Sequence, residues 1–354
     1  MTFSRKPLHD FMMTFQERLG FSHCGLTTLQ MPVSFEAYQE WIDRGYHGEM
    51  AYLKRHLPAK KEVKSHYPFA ESALVFAFPY MPWPSEVSSQ KTSLRTALYS
   101  RGADYHDWIA QKLNVLVTEL RVRYPEHEFL IATDSKPLLE RDLAYRAGLG
   151  WVGKNTCLID RQKGSLFFLA EILSSLQIEE APQGQFVHDF CGTCNRCQVV
   201  CPTQAIESPK VVNATKCISY WTIEAKTVPP AELRGQIGDW FFGCDLCQTV
   251  CPWNQKIFGS LLETQKILSK TLEEEAHLEE ELRDVLSLSH GQLEKKFQGT
   301  ALSRARGFGL KRNALIVIAN RQIKTLKADV EDVMQNTSNA ELKDLAVWCL
   351  EQLR

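Results

Sequence analysis

The hydrophobic positions of the chain fall into two rhythms. Leu8, Phe11, Phe15 and Leu19 recur at three- and four-residue steps, which predicts an amphipathic helix ending near Gly20. Residues 1–70 as a whole read as mostly helical. Trp108, Leu113, Leu116, Val117 and Leu120 form a similar stripe over 104–123. Short unbroken apolar runs lie between. Ala73 to Phe78 (ALVFAF), stopped by Pro79, and Phe129 to Ala132 predict strands, whereas Leu166 to Leu173 (LFFLAEIL) fits strand or helix by pattern alone. The Pro- and Ser-rich segment 79–93 reads as a loop. Pro137 to Ala147 reads as a helix, followed by the glycine-rich 148–153. Alternation of strands and helices up to about residue 185 predicts an α/β domain. Residues 186–256 show little periodicity. Residues 260–354 read as all-helical, and 311–325 and 339–353 are two similar amphipathic segments of the kind that stack in helical repeats.

The 354 residues suit two or three domains at roughly 100–200 residues each. Hydrophobic residues make up 44% and charged residues 23%, so the chain is globular rather than disordered. Lys plus Arg is 41 against 42 for Asp plus Glu, which excludes a globally basic nucleic-acid coat but not a local patch. No apolar run approaches the about 18 residues of a membrane span. The opening MTFSRKPLHDF has no apolar signal region, so a cytoplasmic location is expected. In a reducing compartment the 11 cysteines are not disulfide material and call for another explanation.

Their spacing supplies one. Cys191-x2-Cys194-x2-Cys197-x3-Cys201-Pro202 is the bacterial ferredoxin pattern, in which three thiolates wrap one face of a 4Fe-4S cubane and the fourth reaches the neighbouring cluster. A second run, Cys217 and then Cys244-x2-Cys247-x3-Cys251-Pro252, has its first ligand displaced by a long insertion. The exchange rule assigns Cys191, Cys194, Cys197 and Cys251 to one cluster and Cys217, Cys244, Cys247 and Cys201 to the other. Two zinc sites are the alternative, but zinc knuckles pair C-x2-C units rather than stepping three cysteines at x2. Cys24, Cys157 and Cys349 remain and read as buried small hydrophobes.

Three further features carry candidate chemistry. Gly148 to Thr156 (GLGWVGKNT) matches G-x-G-x-x-G and nearly matches a phosphate loop. It follows a helix instead of a strand, and Asn155 stands where a magnesium-binding hydroxyl belongs, so Gly148 reads as a helix cap. So many glycines also suit backbone lying close to a flat ligand. Asp134, at the end of the Phe129–Thr133 run, reads either as the cap of the next helix, with Ser135 as the other candidate, or as a proton donor at the carboxyl end of a strand. Enclosure by apolar groups would raise its pKa. Finally, 271–284 carries seven acids and one Arg, whereas 301–327 carries seven Lys or Arg and no acid, which suits phosphate binding.

The combination of RGADYHDW (101–108), TDSKPLLERDLAYRAGLGWVGKNT (133–156), the two cysteine runs, KCISYWTIE (216–224) and GTALSRARGFGLKRNAL (299–315) resembles the epoxyqueuosine reductases, a family related to the corrinoid reductive dehalogenases. The resemblance spans nearly the whole chain in one order. It implies a nitroreductase-like, cobalamin-binding α/β domain over 1–185, a ferredoxin-like insert with two 4Fe-4S clusters over 186–258, and a HEAT-like helical tRNA-binding domain over 259–354. It implies reduction of the epoxide of epoxyqueuosine at the wobble position of tRNAs with GUN anticodons (Asp, Asn, His, Tyr), and a monomer is expected because no coiled coil or long apolar seam is visible. Electrons would pass from an unidentified donor through the clusters to cobalamin. The corrinoid signature D-x-H-x-x-G is absent, since Asp104-Tyr105-His106 is followed by Ile109 where glycine belongs, and this suits base-off binding.

By this resemblance Asp134 is the proton donor. Lys154, Asn155, Leu158 and Leu169 line the corrin, with Ser219 and the Cys244–Asp245 backbone where a cluster approaches it. Tyr105, with Arg101 and His106, and Arg55 are further pocket candidates. Lys226, Arg304, Arg306, Lys311 and Arg312 contact tRNA. Lys136 departs from the small residue expected there. The rival reading is a cytosolic iron–sulfur oxidoreductase with a flavin or another corrinoid substrate and a protein partner at the C-terminal helices.

Overall fold

The computed structural model describes residues 2–81, 92–180, 187–255 and 272–354. The expected domain boundaries near 185 and 258, most of the 79–93 loop and the start of the acidic run at 271 lie outside the described residues. The N-terminal part centres on strands β1 (His23–Thr28), β2 (Ser72–Pro79), β3 (Phe129–Ala132) and β4 (Phe167–Ser174), in the spatial order β1-β2-β4-β3. Around the sheet lie α1 (Arg5–Met13), α2 (Tyr105–Arg123) and α3 (Glu140–Arg146).

The α/β character is present, but every neighbouring pair of strands is antiparallel. The excursions from β1 to β2 and from β3 to β4 return the chain to the end of the sheet that it left. Only the crossing through α2 carries it to the opposite end, and it sets β3 beyond β4 rather than beside β2. β3 is therefore an edge strand.

Leu74, Phe76 and Phe78 of β2 and Phe168, Ala170 and Ile172 of β4 pack with Leu8 and Met12 of α1 and with Ile109, Leu113 and Leu116 of α2. The other face, with Ala73, Val75, Ala77 and Leu173, meets Leu143, Ala144 and Ala147 behind α3. Burial on both faces explains why β2 and β4 read as unbroken apolar runs, and it settles LFFLAEIL as a strand. The mostly helical reading of 1–70 misses β1, whose HCGLTT sequence is small and polar enough to carry no strand signal. It enters the sheet because β2 supplies the partner.

The C-terminal described residues are helical: α4 (Leu272–Ser287), a short Ser289-capped helix after it, α5 (Arg306–Arg321), α6 (Lys327–Asn336) and α7 (Ala340–Gln352). α5 is buried on nearly every side and packs against α4 and α7. One hydrophobic cluster joins these helices to Ile218, Trp221, Trp240, Phe241 and Phe242 of the cysteine-bearing part. No helix among the described residues is long and apolar enough to cross a membrane.

This packing corrects one expectation of the basic run. Arg312 is fully buried, its guanidinium donating to the carbonyls of Ala225 at 2.6 Å and Thr227 at 3.0 Å. Next to it, Asn313 donates to the Thr222 and Phe241 carbonyls at 2.8 Å each. These residues weld α5 to the segment after Cys217 and are withheld from any nucleic acid. Lys311 is half-buried and donates to the Leu286 carbonyl at 2.7 Å. Arg306 remains exposed. Arg312→Ala is expected to cost roughly 3 kcal/mol, since two charge-assisted hydrogen bonds go and two buried carbonyls lose their donor. Arg306→Ala should stay within about 0.5 kcal/mol of wild type. Thermal unfolding of the two variants side by side checks this.

Candidate active site

Asp134 follows β3 directly, with a backbone φ of 51°, a left-handed conformation that non-glycine residues seldom adopt. It is not a helix cap, and neither is Ser135. α3 starts only at Glu140, after Leu139, and the Asp134 amide donates to Glu140 Oε1 at 2.5 Å. Five residues separate the strand's acid from the helix, and the bend presents the carboxylate outward, 42% exposed.

Three side chains converge on its Oδ2. Tyr105 donates its hydroxyl at 2.6 Å, Arg304 Nη1 lies at 3.3 Å and His106 Nε2 at 3.6 Å. Asp104 caps α2 by accepting the His106 amide, and its carboxylate also holds His106 Nδ1 at 2.7 Å. Tyr105 is clamped between the rings of Phe168, at 4.1 Å, and His106, at 4.2 Å. Arg304 also pairs through Nε with Glu224 at 2.9 Å. It arrives because Gly299 accepts the Asp104 amide at 2.8 Å and Thr300 bridges Ala103, which fixes the turn before α5 against the start of α2.

The electrostatics reverse the raised pKa expected for Asp134. Burial alone would push the carboxyl up, but hydrogen bonds from His106 and Tyr105 and the charge of Arg304 outweigh it and hold Asp134 well below the usual carboxylate range. Its neighbours move the other way. Burial, with the Asp134 charge, pushes Glu140 up to about 8. Glu171 on β4 is fully buried, neither of its oxygens has a hydrogen-bond partner among the described residues, and burial with the charges of Glu140 and Asp134 raises it far above its ordinary value. One ionised carboxylate thus fronts two carboxyls that hold their protons. An acid inside LFFLAEIL was a visible anomaly in the sequence. Glu224 and Glu140 each lay inside a segment already singled out, 216–224 and 133–156, without being picked from it.

The cysteine loops reach this site through Tyr99 and the 217–224 segment. Asp245 is buried and accepts the Leu98 amide at 2.6 Å, fixing the Cys244–Cys247 loop against the residues next to Tyr99. Tyr99 lies between Tyr105, at 6.3 Å, and Phe242, at 6.4 Å. Ser219 is half-buried at the head of the Tyr220–Glu224 turn that ends at Glu224. Among the described residues no three ligating side chains converge on a point suited to a single ion. A cubane needs thiolates spread around its corners, not gathered at one point.

Several expected cofactor-lining residues hold the loops instead. Lys154 Nζ donates to the carbonyls of Gly192 at 2.6 Å and Cys194 at 2.8 Å, and Asn155 Nδ2 donates to the Cys247 carbonyl at 3.1 Å. Leu158 is buried beneath α3, Leu169 is half-buried on β4, and Arg55 is exposed. The glycines are explained without a flat ligand. Gly148, at φ 83°, closes α3 with its amide on the Tyr145 carbonyl while the Leu149 amide reaches Ala144. A Cβ on Gly150 would lie 2.3 Å from the Ile159 carbonyl oxygen. Lys226 is exposed, its amide donating to Glu49 at 2.5 Å. Beside Asp134, a cavity of about 410 Å³ opens between α2 and β3, lined by His106, Asp107, Asn114, Ile131, Thr133 and Ser135.

Hydrogen bonds to Asp104 and then Asp134 lift His106 from 6.5 to about 9. The stability this adds is complete below about pH 6.5 and is lost as pH rises through about 9. An imidazole resonance titrating near 9 in wild type, and moving down in Asp104→Asn, is the expected outcome. Titration near 6.5 in both proteins would contradict the geometry.

A family model described as a 4Fe-4S double cluster binding domain matches residues 190–254, and one described as epoxyqueuosine reductase QueG matches 61–135. The chain is 35% identical over 298 residues to the epoxyqueuosine reductase of Cyclobacterium marinum, covering 84% of this chain and 92% of that one. To the epoxyqueuosine reductase of Escherichia coli it is 34% identical over 305 residues, covering 85% and 78%. A solved Bacillus subtilis epoxyqueuosine reductase, with its Asp134 catalytic loop swung out of the active site, superposes with a TM-score of 0.77 at 25% identity, covering 98% of this chain and 91% of that one. An epoxyqueuosine reductase with a tRNA-Tyr epoxyqueuosine-modified stem loop shares the fold at a TM-score of 0.76 and 24% identity, covering 98% and 99%. With relatives above 30% identity along most of its length and a matching 4Fe-4S double cluster binding domain, this chain belongs to the epoxyqueuosine reductase family of oxidoreductases.

Proposed function

We propose that the chain, as a cytoplasmic monomer, reduces the epoxide of epoxyqueuosine to queuosine at the wobble position of tRNAs with GUN anticodons (Asp, Asn, His, Tyr). The reaction consumes two electrons and two protons, forms a carbon–carbon double bond and releases the epoxide oxygen as water. The observation that carries this reading is the exposed Asp134 carboxylate, held at the end of an edge strand by Tyr105, His106 and Arg304 and tied through Glu224 to the segment after Cys217.

Cys191, Cys194, Cys197 and Cys251 take one 4Fe-4S cluster, and Cys217, Cys244, Cys247 and Cys201 take the second, nearer Asp134. The cavity of about 410 Å³ between α2 and β3 would take one edge of a corrin beside Asp134, not the whole macrocycle. Bound there, cobalamin supplies low-potential electrons at the epoxide carbon. The sheet domain is read as nitroreductase-like. The pair α5 and α7 is read as HEAT-like.

Asp134 gives a proton to the oxygen as the C–O bond opens. It starts ionised because His106, Tyr105 and Arg304 together hold it so. A tRNA phosphate that draws Arg304 away, with the nucleoside shielding Asp134 from water, lets the carboxyl take up a proton, and Tyr105 and His106 keep it aimed. Lys226 and Arg306 remain as phosphate contacts, and recognition reads a splayed loop base.

Asp134→Asn is expected to slow loss of oxygen from an epoxyqueuosine stem-loop by about 10²–10⁴-fold, the range for a positioned acid, while iron content stays at the wild-type level. Mass spectrometry of the nucleoside is the readout, and wild-type turnover by the variant would sink the assignment. Arg304→Gln should raise the pH below which single turnover reaches its plateau, since Asp134 loses a neighbouring positive charge.

A further inference from the structure

We propose that the outer face of the first cysteine run is a docking surface for a small acidic protein that carries one electron at a time. The inference rests on the reading above, in which two clusters feed the Asp134 site. The two runs sit in different surroundings. Cys244 to Cys247 lies beneath Leu98 and Tyr99, with Asp245 buried between its cysteines. From Phe190 to Val199 the chain runs along the surface. Phe190 is 39% exposed and Val199 75% exposed, two of only six large apolar side chains so exposed among the described residues. They bracket the Cys191–Cys197 ligands.

Phe190 is held from beneath. Its ring meets Trp151 at 5.2 Å and Trp253 at 6.0 Å, and both tryptophans pack with Cys251. The Arg161 guanidinium lies 5.2 Å over it. An exposed aromatic ring thus backs onto the ligands of the outer cluster.

The rim carries the opposite sign to an acidic carrier. Segments 151–166 and 187–216 hold six basic residues, Lys154, Arg161, Lys163, Arg196, Lys210 and Lys216, against Asp160, Asp189 and Glu207, in a chain of net charge −1. An apolar centre within a charged rim is the anatomy of a transient protein interface, and charge complementarity there acts mainly on the association rate. The mouth at Asp134 is needed by a polyanionic substrate, so an acidic carrier requires its own surface.

The test uses cluster-loaded protein mixed anaerobically with flavodoxin hydroquinone, an acidic one-electron carrier, and follows cluster bleaching. Arg161→Glu combined with Arg196→Glu is expected to lower the second-order rate at low ionic strength about tenfold or more and to flatten its salt dependence. Phe190→Ser should weaken flavodoxin binding measured by calorimetry. Iron content and reduction by dithionite, which needs no docking surface, should match wild type in all variants. Equal flavodoxin rates in wild type and the charge-reversed protein, or no transfer to wild type at all, would overturn the proposal. A wild type loaded with both clusters and cobalamin that dithionite reduces fully without any loss of oxygen from an epoxyqueuosine stem-loop would instead overturn the functional reading on which the proposal rests.

Discussion

One carboxylate oxygen, Asp134 Oδ2, gathers a tyrosine hydroxyl, an imidazole and a guanidinium, and the donors come from opposite ends of the chain. Tyr105 and His106 belong to the first turn of α2 and Arg304 to the turn before α5. Glu224 adds the cysteine-bearing part by sharing Arg304. Sheet, cluster loops and helical layer therefore meet at one charge. The buried Arg312 and Asn313 hold the same three-way junction from behind, through carbonyls of the 222–227 and 241 backbone. Geometry at Asp134 depends on that junction more than on any local sequence preference.

The acids behind this site work against stability. Glu171 has no hydrogen-bond partner among the described residues, and Glu140 carries a carboxyl pushed well above its ordinary range. A leucine at 171 would suit its surroundings of Leu173, Val75 and Ala132. Buried, proton-holding carboxyls behind an ionised one fit a site that must hold and move protons. Such strain against packing is characteristic of functional positions rather than of scaffold.

Much of this was legible in the residues. The cysteine steps carried the two clusters because ligand spacing is set by cubane geometry, independently of the surrounding fold. ALVFAF and the stripe over 104–123 carried β2 and α2 because burial there is strong and periodic. β1 was hidden because its partner strand, not its own side chains, holds it in the sheet. The basic run over 301–327 was misread in part because a charge pattern does not reveal burial: Arg312 spends its charge on carbonyls inside the protein. Asp134 stood out by position, but its ionised state depends on His106 and Tyr105 of α2 and on Arg304, 170 residues away, which no local pattern connects to it. The resemblance to a known family supplied cobalamin and the substrate, neither of which spacing or composition contains.

In the proposed reaction, electrons from the two clusters are spent at Asp134 on an epoxide, with cobalamin in between. A single turnover on an anticodon stem-loop carrying epoxyqueuosine tests it most directly. It would use anaerobically reconstituted protein and a strong reductant, with and without added cobalamin, and read the nucleoside by mass spectrometry. The account predicts loss of one oxygen only when cobalamin is present. Equal conversion without cobalamin, or no conversion by protein whose two clusters are intact, would contradict it.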